Sequence, residues 1–172
     1  QIESFKNTFL YFFSFQGLIL YLITLVFVKS LHELGHAFVS KYFGCRVSSI
    51  GIAFLVFFPF LYTDTSDAWR LRDHKDRLLI NFAGILTELH LALISTFLWA
   101  ILPDGGLKSV AFFIATTSWI SSLAINVSPF MRFDGYYVFS DWLKAENLQP
   151  RSFALARWQL REILFGFNHP PP

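Results

Sequence analysis

Residues 7–36, NTFLYFFSFQGLILYLITLVFVKSLHELGH, decide how this chain is to be read. From Asn7 to Val28 no side chain is charged, a run longer than the roughly 20 residues that cross a hydrocarbon core. It predicts a transmembrane helix. At its end stand His32-Glu33-Leu34-Gly35-His36. On a helix His32 and His36 are one turn apart on the same face, so two imidazoles can bind one metal with Glu33 beside it. Zinc held this way leaves positions open for a third ligand and a water, whose pKa it lowers to roughly 7. Glu33 can then take and return the proton, and the chemistry predicted is peptide-bond hydrolysis inside a membrane. Taken alone the motif is short enough to arise by chance, so its surroundings carry the argument.

Two further segments repeat the apolar pattern. Ser109 to Met131 carries no charge, and Leu78 to Leu102 is interrupted only by Glu88 and His90. With 54% apolar and only 15% charged residues, the chain lies outside the range of ordinary soluble domains. The expected fold is an all-α membrane protein, with three transmembrane helices at about residues 9–43, 78–103 and 108–129 in a single core spanning 1–172. The chain begins with Gln1 and ends in Pro170-Pro171-Pro172, as a piece or processed product of a longer protein would. Its opening run does not read as a signal peptide, since it lacks a strongly basic start and runs straight into the histidine motif. Cys45 is the sole cysteine, which excludes an internal disulfide and a thiolate zinc site. Any zinc must be held by His and carboxylate.

Three crossings put the segment after the first helix and the tail after the third on one side of the membrane. That side carries Lys41, Arg46, Arg70, Arg72, Lys75 and Arg77, then Arg132, Lys144, Arg151, Arg157 and Arg161; the other has Lys6 and Lys108. Because cytoplasmic loops are enriched in Lys and Arg, the basic side is expected to be cytosolic, in a bacterial inner or plasma membrane. No nucleic-acid partner is expected, since Asp64, Asp67, Asp73 and Asp76 interrupt the positive charge. Gly44 suits a helix stop and Gly17 a break near the other end. His36 and His32 then lie roughly 10 and 17 Å inside the helix end, in the cytosolic half of the bilayer.

The third apolar segment ends in Asn126-Val127-Ser128-Pro129-Phe130-Met131-Arg132-Phe133-Asp134-Gly135. Pro129 should disrupt the helix, and Gly135 permits a sharp turn after the carboxylate. Asp134 falls on the side of the two histidines and can complete a two-His, one-carboxylate site, although an Asp-Gly pair alone is a common turn. Together the two motifs resemble the site-2 protease family of intramembrane zinc metalloproteases, which pair His-Glu-x-x-His on one helix with Asn-x-x-Pro-x-x-x-x-Asp-Gly at the end of a later one. The resemblance covers about residues 9–142. It implies Zn2+ as cofactor, His32, His36 and Asp134 as metal ligands, Glu33 as general base and Asn126 as a substrate or intermediate contact. Tyr62-Thr63-Asp64-Thr65-Ser66-Asp67-Ala68-Trp69 is similar to bacterial members associated with peptide maturation or secretion. Loops this short leave no room for the inserted peptide-binding domain of some relatives.

Other features leave alternatives open. Val47 to Tyr62 is too short to span as a helix, contains Pro59 and favours β structure. It reads either as a re-entrant hairpin or loop whose edge pairs with an extended substrate, or as an apolar plug. Glu88 reads as an outer-shell partner orienting a zinc-bound imidazole, a rival third ligand, or a protonated interhelical hydrogen bond. His90 points elsewhere and is expected to be a packed neutral histidine. Gly35, Ala83 and Gly84 suit close helix packing without reference to catalysis. The tail, 151–172, reads as an amphipathic surface helix or the stub of another span, with His169 disordered. The expected function is zinc-dependent endopeptidase action on membrane-inserted or membrane-adjacent proteins or peptides, with the lipid bilayer as the other partner. The alternative is a non-enzymatic zinc-binding component of a transport or secretion assembly. The sequence leaves the oligomeric state open.

Overall fold

The computed structural model of the chain describes residues 14–55, 58–128, 131–145, 147–166 and 170. The beginning of the first helix at residue 9, the helix-breaking Pro129 and His169 fall outside these residues. Helix α1 runs Phe15–Tyr42. Ser14 opens it, its Oγ accepting from the Gly17 amide at 3.0 Å, so Gly17 lies in the first turn and does not break the helix. Gly44 closes it as expected, at φ +74°. The Cys45 amide donates to the Ser40 carbonyl and the Gly44 amide to the Lys41 carbonyl, the paired bonds of a Schellman stop.

Next come strands β1 (Ile50–Leu55) and β2 (Phe58–Thr63), an antiparallel hairpin in which Ile50 faces Thr63 and Phe54 faces Pro59. A 3-10 turn, Ser66–Arg70, leads into helix α2, His74–Ile101. This helix starts four residues before the expected boundary because Asp73 caps it, accepting from the Lys75 amide at 2.8 Å. Its 28 residues extend about 42 Å, more than the roughly 30 Å hydrocarbon core, so its charged first turn can stand outside the membrane. Glu88 is about 21 Å along the helix from its start, and about 15 Å from the apolar boundary at residue 78.

Helix α3 runs Gly106–Ile120 and continues through the π-helical turn Ser121–Asn126, where the Val127 amide reaches back five residues to the Ser122 carbonyl at 2.9 Å. Short helix α4, Asp134–Trp142, and helix α5, Leu148–Phe165, complete the described chain. Among the described residues, three helices are long and apolar enough to cross a membrane: 15–42, 74–101 and 106–126. α2 is the hub, packing against α1, α3 and α4.

The packing is that of a membrane protein. Ile23, Val26, Leu93, Ile94 and Phe97 face outward, while Thr24, Ser95, Thr117, Ser118 and Ser122 are buried between the helices. Small and hydroxylated residues let helices approach closely where lipid supplies no hydrophobic contrast. α5 has no buried residue, carries Arg151, Arg157, Arg161 and Glu162, and is not among the three apolar spans.

Candidate metal centre

The two histidines of α1 and the carboxylate that starts α4 meet at one point. His32 Nε2 lies 3.2 Å from His36 Nε2 and 2.8 Å from Asp134 Oδ2, and His36 Nε2 lies 3.3 Å from the same oxygen. His36 Nδ1 is 2.8 Å from the buried Ile80 carbonyl, which can only accept, so Nδ1 carries the proton and Nε2 presents a lone pair. The other nitrogen of His32 faces a carboxylate, with the same consequence. Two imidazole lone pairs and a carboxylate oxygen therefore converge. Acceptors gathered this way are a donor set for a cation, and ligands about 2.0–2.1 Å from a tetrahedral zinc lie roughly 3.3 Å apart. The three residues fit the metal.

The backbone makes room for it. A Cβ on Gly84 would fall on Nε2 of both His32 and His36, so α2 can pass beneath the imidazoles only because position 84 has no side chain. Gly84 thus forms the floor of the centre, a role that helix packing alone did not suggest. Gly35, with Thr87 and the Ala83 carbonyl against it, is the close helix contact expected. Gly135 acts through space as well: its φ is not positive, and a Cβ there would strike the backbone of Asn126 and Val127. Asp134 accordingly begins a helix packed on the end of α3 instead of standing in a tight turn.

Glu88 is fully buried and stands behind His32, on the side away from the convergence point. Its Oε1 is 3.1 Å from His32 Nδ1, close enough for an ion pair though poorly aligned as a hydrogen bond. The same oxygen takes the Lys29 ammonium at 2.8 Å and the Ser121 hydroxyl at 3.1 Å; Oε2 accepts from Ser122 at 3.0 Å and the Asn126 amide at 2.9 Å. Glu88 thus lies outside the three converging donor residues. Asn126 is buried with its amide nitrogen on Glu88, so in this state it braces that carboxylate. Lys29 escaped the sequence reading because it terminates the charge-free run. The available signal was a basic residue one turn before a motif histidine, deep in an apolar helix.

Glu33 and Asp134 line a cavity of about 410 Å³ together with Thr63, Asp64, Ser66 and Trp69. Its polar wall gives water a route to a buried site. The loop is tied down there: Thr63 Oγ1 donates to the Glu33 carbonyl at 3.0 Å, and Asp67 accepts from the Arg46 amide at 2.8 Å and from Arg70 at 2.9 Å. Those two bonds hold the Asp67 carboxyl below its ordinary range, the Arg46 amide being the larger cause. His90 departs from expectation: it is exposed on the outer face of α2, its Nδ1 satisfied by the Leu86 carbonyl at 2.7 Å. It has no place in the centre.

The family model for peptidase family M50 matches residues 18–104. Comparison with curated proteins and with solved structures gives no match. The matched half includes His32, Glu33, His36, Gly84 and Glu88 but stops before Asn126 and Asp134, which join the centre through the fold. A helix pair carrying that motif, a third apolar helix and a His-His-Asp convergence agree with the match, and the chain belongs to peptidase family M50, the site-2 proteases.

Proposed function

We propose that this protein is a zinc-dependent intramembrane endopeptidase that cleaves membrane-inserted or membrane-adjacent polypeptides. The observation carrying this is the convergence of His32, His36 and Asp134 beside a polar cavity that Glu33 lines. When bound, zinc acts as the Lewis acid that makes water a nucleophile near neutral pH and polarises a carbonyl. His32, His36 and Asp134 would hold it. Glu33 accepts the proton of the attacking water and returns it to the leaving amine, which balances the hydrolysis. Asn126 contacts the substrate or intermediate with the part of its amide that Glu88 leaves free. A peptide must be extended to expose its amides, and β2, which runs along the cavity at Leu61, Tyr62 and Thr63, is suited to hold it by strand addition. The basic loops favour a bacterial inner or plasma membrane with the centre towards the cytosol. The Tyr62–Trp69 likeness favours substrates of the peptide-maturation or secretion class.

Glu33→Gln separates an enzyme from a passive zinc carrier, because a metal site alone has no use for a base. Purified in detergent, the variant should retain one zinc per chain and lose about 10²–10⁴-fold of its cleavage of a model transmembrane peptide. Undiminished cleavage would overturn the proposal.

A further inference from the structure

Lys29 is a basic residue about 20 Å inside the end of α1, where an ammonium is costly and is retained for a reason. It has a partner: its Nζ lies 2.8 Å from Oε1 of the fully buried Glu88. That oxygen is also the one nearest His32 Nδ1, at 3.1 Å. The other oxygen is fixed separately by Ser122 and Asn126, both from the π-helical turn that ends α3, and Ser121 of the same turn adds a third donor. Ser122 and Asn126, four residues apart, share a face under ordinary winding as well; the wider turn brings Ser121, five residues before Asn126, towards the same face. Four groups from two helices thus fix a single carboxylate against one imidazole.

We infer that Lys29 is a positioning residue for the metal centre, acting through Glu88 to set the ring orientation of His32. This rests on the proposed metal site and deepens it. A histidine ligand is oriented by the acceptor on its other nitrogen, and loss of such an acceptor costs about 10–100-fold in metal affinity. Glu88 places a carboxylate oxygen 3.1 Å from that nitrogen, and the Lys29 ion pair holds the carboxylate in place against the ring. Lys29 does not reach the three converging donor atoms itself, so its influence passes only through Glu88.

The test is a double-variant cycle on the full chain in detergent, reading Zn2+ affinity by chelator competition and the visible bands of the Co2+ form, which report ligand geometry without any substrate. Lys29→Met should weaken Zn2+ binding about 10–100-fold and alter the Co2+ bands, while Lys29→Arg restores both. Lys29→Met leaves Glu88 without its counter-charge and risks misfolding, so the decisive comparison is made in the Glu88→Gln background. There Lys29→Met should have no further effect on either reading. Wild-type Zn2+ affinity in Lys29→Met, or losses that add independently of Glu88, would overturn the inference. Failure of the unaltered protein to bind Zn2+ at all would instead overturn the proposed function.

Discussion

At the scale of single residues, the centre depends as much on an absent side chain as on the ligands. Gly84 lies mid-helix, where Ala would ordinarily stabilise by about 0.5–1 kcal/mol. Here the added methyl would occupy the space of two imidazole nitrogens, and overpacking of this kind costs about 1–3 kcal/mol. Gly84→Ala should therefore lower zinc occupancy sharply, whereas Gly106→Ala, at a glycine with open space around it, should leave occupancy unchanged. Metal content by elemental analysis decides between the steric and the propensity term. His32, Glu33 and His36 were legible because four residues make one helical turn, a relation internal to one segment. Asp134 needed the further step of membrane parity. The roles of Gly84 and Lys29 lie in which atoms of another helix come against them, and for Lys29 only its unusual position in an apolar helix was legible.

At the scale of elements, the loop between α1 and α2 behaves as a clamp on the cavity wall. Asp67 secures it from both sides, binding the Arg46 amide and the Arg70 guanidinium, while Ala68 packs on Cys45 and Ile80 at the foot of α2. A carboxyl whose folded pKa is depressed stabilises its element above the unfolded value, about 3.9, and loses that contribution as pH falls through the lower folded value. The downfield amide shift of Arg46 should thus persist through neutral and mildly acid pH and titrate away only below about pH 4. Asp67→Ala should abolish it at every pH. A wild-type shift that titrates near neutrality would remove Asp67 as its cause. A hairpin or loop was expected in this region from its Pro59 and β-favouring residues, and the pairing of Ile50 with Thr63 shows the hairpin. The π-helical turn could not be read at all, since Ser-Ser-Leu-Ala-Ile-Asn carries no feature that separates five-residue from four-residue hydrogen bonding.

At the scale of the whole molecule, the distribution of polarity sets the constraints under which the centre works. The outward face of α1 and α2 is largely Ile, Leu, Val and Phe, with His90 the exception, and Lys29, His32 and Glu88 are turned toward one another. In hydrocarbon an unpaired charge is expensive, so the ion pair and the metal donors share one interior cluster. That segregation was visible in composition and in the three charge-poor runs, but not which polar groups would pair. Parity makes the next prediction: with two crossings, α2 and α3, between them, the cavity loop and α4 should lie on one face and the Asp104–Lys108 turn on the opposite one. Since the cavity-side loops hold nearly all the Lys and Arg, that face should be cytosolic. In a Cys45→Ala background, Asp104→Cys should react with a membrane-impermeant thiol reagent applied to intact cells, and Arg72→Cys only after permeabilisation. The reverse labelling would put the centre on the outer side, because the cavity beside Glu33 is lined by Leu61, Tyr62, Thr63, Asp64 and Ser66 of that loop.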